Sequence, residues 1–305
     1  MENKEKIIEK KLFKRKYILA TAVLSLLIIA ALVFNWFNNE QKPDPASEKI
    51  IREAAAAQLN KDPNELTDED FAKITEINIY RKELTDIKLL EKFTNLQSLE
   101  MYDIRFPEKE IPFWMKILAK LGVFDLSKRF SIELSPLKNL TNLQNLNLGS
   151  SQISNIEPLK ELKNLQSLIL SRTNVIDIKP LVNLANLQSL KLTSTQVSDV
   201  KPLVNLINLQ SLKLGGSKVA DIKPLANLTN LELLNLSDTQ VNDIKSLANL
   251  KKLIFLYLND TQVSDMSSLT NLKNLRELYI QNCENVNDEQ VEDLQKALPN
   301  LKIER

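Results

Sequence analysis

Two adjacent stretches decide the fold of this chain: LQSLKLTSTQVSDVKPLVNLIN at residues 187–208 and LQSLKLGGSKVADIKPLANLTN at residues 209–230. Both are 22 residues long, and their apolar residues fall at the same positions. The pattern begins nine times along the chain, at Ile74, Leu96, Leu143, Leu165, Leu187, Leu209, Leu231, Leu253 and Leu275. A fixed internal period of this length is typical of a solenoid, in which each repeat packs only against its neighbours.

A single repeat also predicts its own local structure. In the copy that starts at Leu187, the apolar positions are Leu187, Leu190, Leu192, Val197, Val200, Leu203 and Leu206. The alternation of Leu190 and Leu192 is that of a short strand, and Asp199 followed by Val200-Lys201-Pro202 predicts the cap and first turn of a short helical segment. Because one repeat cannot bury its apolar edge alone, nine strands about 4.8 Å apart should form a curved rod roughly 40 Å long.

The repeat LxxLxxLxLxxTxVSDIxPLxxLxN resembles the 22-residue leucine-rich repeat of the bacterial internalins, and it is similar to the repeat of phosphatase-1 regulatory subunits. The resemblance covers residues 74–305. It implies a bacterial protein and an α/β solenoid, a right-handed superhelix with a parallel sheet on its concave side. At the ninth repeat position, where many relatives have asparagine, this chain has Ser151, Thr173, Thr195, Ser217, Thr239, Thr261 and Cys283. We expect the hydroxyls to satisfy buried backbone groups, and Cys283 to be a buried structural thiol.

The segment before the first repeat, residues 48–73, predicts a helical amino-terminal cap. We expect a first helix capped by Ser47 and a second, short helix capped by Thr67, with Asp70 three residues on. The apolar residues on one side of the first helix are Ile50, Ile51, Ala54, Ala55 and Leu59. Such a cap shields the open end of a solenoid core from water.

The other end of the repeat region, which spans residues 74–300, predicts a second cap. The segment NDEQVEDLQKALPNLKIER at residues 287–305 predicts an amphipathic helix, followed by a strand-like end at residues 301–305. With a cap at each end, we expect a complete repeat domain rather than a fragment.

The amino-terminal segment 17–37 predicts a single transmembrane helix. It contains no charged residue, and about twenty helical residues span the roughly 30 Å hydrocarbon core of a bilayer. Tyr17 and Trp36 mark its two ends, where amphipathic rings favour the membrane interface. Residues 1–16 contain seven Lys or Arg against three Glu, which predicts a cytoplasmic tail and places the repeats outside the cytoplasm. Residues 38–47 predict a polar linker.

Two alternatives to this anchor remain open. The segment is also compatible with a cleaved signal peptide, which would make the protein a secreted adhesin, although Phe34-Asn35-Trp36-Phe37 is a poor cleavage site. The other alternative is a buried core helix.

The second repeat is interrupted by an insertion at about residues 105–131. It makes the stretch from Leu96 to Asn142 47 residues long, where 22 would suffice. Pro112 and Gly122 predict the start and end of a short helix with Trp114 on its apolar side. This helix could pack on the solenoid, bind a partner or contact the bilayer.

The composition excludes several kinds of chemistry. With no histidine and a single cysteine, the chain has neither a Ser-His-Asp or Cys-His triad nor the usual zinc ligands. We therefore expect no enzyme, with no catalytic residue, metal, cofactor or small-molecule substrate. The chain after residue 16 has a net charge of 1 − 4 = −3, which gives no reason to expect nucleic-acid binding.

A column of aspartates recurs at one repeat position, and it has three interpretations. The column consists of Asp177, Asp199, Asp221, Asp243 and Asp265. The simplest interpretation is that each carboxylate caps its own helical turn. A calcium ladder is a second, which the lysines two residues further on oppose. Carboxylate-only acid–base hydrolysis is a third.

Large outward side chains near the carboxyl end are the candidate binding residues. Repeat positions three, five and seven should project outward from the strands, and in the middle copies they are small or polar, as in Ser189, Lys191 and Thr193. Toward the carboxyl end these positions become Leu233, Phe255, Tyr257 and Tyr279. Binding hot spots use large amphipathic rings in this way. Tyr80 and Tyr102 occupy outward positions at the other end.

These observations predict a membrane-anchored interaction protein whose concave face binds a protein or peptide. Trp114 in the insertion is a further candidate contact. The resemblance to phosphatase-1 regulatory subunits implies an alternative, an intracellular regulatory subunit of an enzyme such as a phosphatase. Scattered surface apolarity, which is common in soluble proteins, is the remaining explanation of the outward rings.

Overall fold

The computed structural model describes residues 44–105, 120 and 131–305, whose repeats stack around one sheet. The sheet has ten parallel strands that follow one another in chain order. They are β1 (Glu76–Tyr80), β2 (Ser98–Tyr102), β3 (Asn145–Asn147), β4 (Ser167–Ile169), β5 (Ser189–Lys191), β6 (Ser211–Lys213), β7 (Leu233–Asn235), β8 (Phe255–Tyr257), β9 (Glu277–Tyr279) and β10 (Lys302–Glu304). Nine strands open the nine predicted repeats, and the tenth is the predicted strand-like end. The α/β solenoid is thus confirmed.

Helical segments connect the strands. The α-helices are α1 (Pro45–Leu59), α2 (Asp68–Lys73) and α3 (Asp288–Ala297). The connections inside the repeats are 3-10 helices at Lys88–Lys92, Ser135–Leu137, Glu157–Glu161, Lys179–Leu181, Lys201–Leu203, Lys223–Asn227, Lys245–Asn249 and Ser267–Leu269, and one more, Pro63–Glu65, joins α1 to α2. Each 22-residue repeat has room for one short helical turn after its strand. A 3-10 helix suits this place because it is short and rises about 2 Å per residue.

Each strand pairs with the next so that equivalent repeat positions lie opposite one another. Leu190, for example, lies opposite Leu212. The same register holds between β2 and β3, where Leu99 lies opposite Leu146 although 47 residues separate them. The predicted insertion therefore leaves the pairing of its neighbouring strands intact.

Leucines from all repeats form one continuous core. All seven apolar positions of the repeat that starts at Leu187 are at most 1% exposed. The core extends from Ile51 in α1 to Leu301 before β10. Complete burial of one such side chain contributes about 1.5–3 kcal/mol before the entropic cost of ordering the chain. The apolar period of the sequence is therefore the period of the core.

Asparagines in the last repeat position connect each repeat to the preceding one. The side-chain amide of Asn208 donates to the backbone oxygen of Ala185 at 2.8 Å, and that of Asn230 donates to Ile207 in the same way. Lys252 stands where the next asparagine would be, and its ammonium donates to Oδ1 of Asn230 at 2.7 Å. These bonds satisfy carbonyl groups that the short turns leave without a helical partner.

The hydroxyls at the ninth repeat position satisfy buried carbonyl groups, as the sequence predicted. Oγ1 of Thr195 donates to the backbone oxygen of Leu192 at 2.7 Å. Cys283 is buried, and its Sγ lies 3.0 Å from the oxygen of Leu258. Ser217 differs, because its buried hydroxyl has no hydrogen-bond partner among the described residues.

The eighth repeat position holds the backbone in the left-handed region in every repeat. The residues there are Arg81, Asp103, Ser150, Arg172, Ser194, Gly216, Asp238, Asp260 and Asn282, with φ between 54° and 68°. This turn aims the amide of Ser194 at the oxygen of Gly215 in the next repeat, at 2.8 Å. Most residues other than glycine are disfavoured in this region by about 1–2 kcal/mol, but Asp and Asn adopt it more readily, and Gly216 avoids the cost.

The amino-terminal cap covers the edge of β1. Ile51 and Ala55 of α1 are fully buried, and the other predicted apolar residues of this helix pack against the core. Ser47 does not cap α1, because the helix already begins at Pro45 and Ser47 lies inside its first turn. Its Oγ instead accepts the amide of Thr85 at 3.0 Å, which joins the cap to the first repeat. The sequence pattern singled out Ser47 but did not predict its hydrogen bond to Thr85.

Asp70 is the polar centre of this cap. Thr67 and Asp70 form the predicted capping box of α2. The ammonium of Lys61 donates to both carboxylate oxygens of Asp70, at 2.8 and 2.9 Å. This bond, followed by the amide of Thr67, holds the pKa of Asp70 well below its usual range.

Several sequence-based predictions fall outside the described residues. These are the tail at 1–16, the anchor at 17–37 with Tyr17 and Trp36, residues 38–43 of the linker, and the insertion apart from residues 105, 120 and 131, including Trp114. Within residues 44–105, 120 and 131–305, no helix has both the length and the apolar character needed to cross a membrane.

The contrast between Thr195 and Ser217 can be tested by substitution. Thr195→Val keeps the shape of the side chain but removes the donor to Leu192, so the free energy of unfolding should fall by about 1–3 kcal/mol. Ser217→Ala removes a buried hydroxyl without a partner in the described part of the chain, and stability should stay unchanged or rise slightly. Urea unfolding of the full-length chain, followed by circular dichroism, measures both. Equal losses in the two variants would contradict the assignment.

Asp70→Asn should destabilise the protein in a pH-dependent way. Since the folded-state pKa of Asp70 is lowered from 3.8, its contribution is fully present above that value and is lost as the pH falls toward the folded pKa. The difference in unfolding midpoint between wild type and variant should therefore shrink progressively from about pH 5 to about pH 2. Glu69→Gln, an exposed acid in the same helical turn, is the matched control. A difference that stays constant over this range would rule out the pKa shift.

Candidate functional site

The outward face of the sheet carries two columns of side chains. The fourth repeat position, a buried leucine in β2 to β9, points into the core, so the third and fifth repeat positions on either side of it face out. The third-position column is Glu76, Ser98, Asn145, Ser167, Ser189, Ser211, Leu233, Phe255, Glu277 and Lys302. The fifth-position column is Asn78, Glu100, Asn147, Ile169, Lys191, Lys213, Asn235, Tyr257, Tyr279 and Glu304. The fold needs none of these side chains in its core.

The register brings four predicted site residues into one aromatic cluster, composed of Leu233, Phe255, Tyr257 and Tyr279. Leu233 lies opposite Phe255, and Tyr257 lies opposite Tyr279. The two tyrosine rings are 4.5 Å apart at their centroids and 7° from parallel. All four side chains are half-buried on the sheet surface. The predicted fifth contact, Trp114, lies outside the described residues.

The two stacked tyrosines differ in what their hydroxyls do. The hydroxyl of Tyr279 donates to Oε2 of Glu277 at 2.6 Å, and this bond is the main reason that the pKa of Tyr279 rises to about 12. The hydroxyl of Tyr257 has no hydrogen-bond partner among the described residues. Because the rings cover one another, a ligand can reach their edges, their outer faces and the hydroxyl of Tyr257.

The second repeat position adds residues to this region that the sequence analysis missed. Most repeats have glutamine there, but the last three have Glu232, Ile254 and Arg276. With Lys252 and Asn274 they line a shallow depression of about 310 Å³ beside the aromatic cluster. The sequence signal for these residues was the loss of glutamine at the second position in the repeats that contain the aromatic cluster.

Tyr80 and Tyr102 form a separate pair at the amino-terminal end. They lie opposite one another on β1 and β2, at the seventh repeat position, and are 46% and 36% exposed. The hydroxyl of Tyr80 donates to Glu100, which raises the pKa of Tyr80 to about 12. Four strands, β3 to β6, separate this pair from the aromatic cluster, so the two do not form one surface patch.

Each aspartate of the column accepts a backbone amide at the start of its own helical turn, as the simplest interpretation predicted. Oδ1 of Asp199 accepts the amide of Lys201 at 2.9 Å, and Asp177, Asp221, Asp243 and Asp265 accept the corresponding amides in their own repeats. The side-chain hydroxyl of Ser267, followed by its amide, lowers the pKa of Asp265, whereas a general acid requires a raised pKa. Among the described residues, no group of three or more histidine, cysteine or acidic side chains could hold a metal ion.

The fold has close counterparts among solved structures. The chain is 32% identical to internalin C2 of Listeria monocytogenes over 78% of this chain and 94% of that one, with a TM-score of 0.66. A leucine-rich-repeat protein of Leptospira interrogans is 26% identical over 78% of this chain and 62% of that one, with a TM-score of 0.62. TLR13, solved in complex with ssRNA13, is 20% identical over 72% of this chain and 31% of that one, with a TM-score of 0.55, so it shares only the fold. No protein-family model and no curated protein matches the sequence.

Proposed function

This chain belongs to the internalin family of leucine-rich-repeat proteins, and we propose that it is a binding protein rather than an enzyme. In this proposal the outward face of the sheet binds a protein or peptide partner at the aromatic cluster. The observation that carries the proposal is the stacked pair of Tyr257 and Tyr279 on a surface whose neighbouring strands β5 and β6 present only serine and lysine.

Comparison between repeats supports a role in binding rather than in folding. The buried leucines recur in the same positions from repeat to repeat, which is what the core requires. The outward positions are serine and lysine on β5 and β6, whereas four of the six on β7 to β9 are leucine, phenylalanine or tyrosine, the other two being Asn235 and Glu277. The core is complete with either set, since Leu212 and Leu256 are equally buried. The aromatic side chains therefore have no structural necessity.

The physical properties of the cluster suit a protein partner. Large rings that are already half-buried lose little side-chain freedom when a partner covers them. Rings of this size can contribute 2 kcal/mol or more each at the centre of an interface. The hydroxyl of Tyr257, which has no partner in the described part of the chain, can add one directional hydrogen bond, and the polar residues around the depression can form the hydrated rim of the interface.

We further propose that residues 17–37 anchor the protein in a membrane, with residues 1–16 in the cytoplasm and the repeats outside it. The support is the uncharged length of this segment and the seven basic residues that precede it. Secretion after cleavage of the same segment is the second candidate. An intracellular regulatory subunit has less support, because the charge asymmetry directs the repeats to the other side of the membrane.

Removal of both stacked rings should abolish partner binding without unfolding the solenoid. For Tyr257→Ala combined with Tyr279→Ala, we expect capture of a native partner by the full-length chain to fall at least tenfold, since each ring is a hot-spot candidate. The unfolding midpoint should change little, because loss of the ring pair costs only about 0.5–1.5 kcal/mol. Crosslinking in the source cells, with quantitative mass spectrometry of the captured proteins, measures the binding.

The matched control is Tyr80→Ala combined with Tyr102→Ala, which removes two tyrosines from the opposite end of the sheet. This variant should retain the partner. Binding that survives the first pair of substitutions, or is lost only with the second, would reject the aromatic cluster as the site.

The anchor can be tested separately on intact cells. A protease added to intact cells should digest the repeats and leave the amino terminus uncut. Without protease, the full-length chain should be found in the membrane fraction. Replacing Leu26 and Ile29 with lysine should release the protein from that fraction, because two charges at the centre of the span are costly. Repeats that become digestible only after cell lysis would contradict the extracytoplasmic placement.

A further inference from the structure

Two lysines on the outward face lack a counter-charge. Lys191 and Lys213 occupy the fifth-position column on β5 and β6, directly opposite one another in the register. Both side chains are half-buried. Neither forms an ion pair or a side-chain hydrogen bond with any residue that the structure describes. Like charges on directly opposed residues repel one another, so an anionic group that lies between these two lysines would be bound favourably.

Some lysines elsewhere in the repeats pair with an acid. The ammonium of Lys160 lies 2.6 Å from Glu157, and that of Lys179 lies 3.6 Å from Asp177. On β4, β5 and β6, by contrast, the outward columns contain serine, isoleucine and lysine but no acidic residue. These three strands therefore present the positive charge of Lys191 and Lys213 with no acid in their own outward columns.

The acids near the aromatic cluster are already engaged or balanced. Glu277 accepts the hydroxyl of Tyr279, and Glu304 is paired with Lys302 at 2.7 Å. Glu232 lines the depression together with the cationic Arg276. In the outward columns of β5 to β9, the charged side chains without a partner among the described residues are therefore Lys191 and Lys213.

The fifth-position column connects these lysines to the cluster. Along it, Lys191 and Lys213 are followed by Asn235 and then Tyr257. At about 4.8 Å per strand, the backbone at Lys213 is about 10 Å from that at Tyr257, and the backbone at Lys191 is about 14 Å away. An extended peptide covers this distance in three or four residues, at about 3.4 Å per residue.

We infer that Lys191 and Lys213 bind a carboxylate of the partner, on the same protein segment that places an apolar side chain on the aromatic cluster. The partner is thus an extended acidic segment with an apolar or aromatic residue three or four positions from an Asp or Glu. This inference rests on the proposed function and specifies the chemistry of its ligand. A polyanionic polysaccharide could neutralise the lysines, but it would leave Leu233 and Phe255 without an apolar partner, which favours a protein.

A displayed library of random 12-residue peptides, selected on the full-length chain, tests this inference. We expect the selected sequences to be enriched in Asp or Glu three or four positions from Trp, Phe, Tyr or Leu. For a selected peptide, Lys191→Glu or Lys213→Glu should raise the Kd about tenfold in fluorescence anisotropy, because each removes a charge-assisted contact. The double variant should instead select Lys or Arg at the same spacing.

The matched control is Lys201→Glu combined with Lys223→Glu. It changes the charge by the same amount, on exposed lysines of the 3-10 helices away from the sheet. This control should keep the acidic preference, and unchanged circular dichroism spectra should show that every variant is folded.

The remaining outcomes separate the inference from the proposed function. Peptides that need Tyr257 and Tyr279 but show no acidic preference overturn the inference and leave the binding surface in place. An acidic preference that survives in the double lysine variant also overturns it. If the wild-type chain retains no sequence above the level retained by the Tyr257→Ala and Tyr279→Ala double variant, both proposals are overturned. Competition with polyanions at equal carboxylate concentration tests the polysaccharide. If polygalacturonate displaces the selected peptide where polyglutamate does not, the lysines bind a polysaccharide.

Discussion

The inability of one repeat to shield its own leucines determines the rest of this structure. A single strand and a single 3-10 turn leave an apolar edge on both sides, and only a second, identical repeat in matching register can cover it. Leu190 and Leu212 lie opposite one another for this reason. Polar bonds between repeats then reinforce the same register, since Asn208 donates to Ala185 and the amide of Ser194 donates to Gly215. None of these bonds would be available if the strands slipped by one residue.

This constraint separates the residues that maintain the fold from those that are free to bind. Inside the stack the side chains are repeated almost without change, whereas the outward columns change from serine and lysine to leucine and aromatic residues. The sheet holds those outward residues on a rigid frame with a constant spacing of about 4.8 Å. A binding site of this kind needs no loop rearrangement, because the register of the core already aligns Tyr257 with Tyr279 and Lys191 with Lys213.

The sequence predicted the solenoid, the strand positions and the column of buried hydroxyls, because all of these follow from a period of 22 residues. It also predicted which four residues of the aromatic cluster would meet, since residues one repeat apart become neighbours across strands. It did not predict the bond of Ser47 to Thr85 or the unpartnered hydroxyl of Ser217, because both depend on contacts that no period encodes. The depression at Ile254 and Arg276 was missed for another reason: its residues lie at the second repeat position, which was not treated as outward.

The intact pairing of β2 with β3 shows how such a protein can acquire new parts. Lengthening the connection from 22 to 47 residues costs only about 0.7 kcal/mol of closure entropy, since that cost grows with the logarithm of loop length. The gap is bridged without any shift between Leu99 and Leu146. Gene segments of almost any size could therefore be spliced in at this junction, and evolution could graft a new module there while the scaffold on either side remained unaltered.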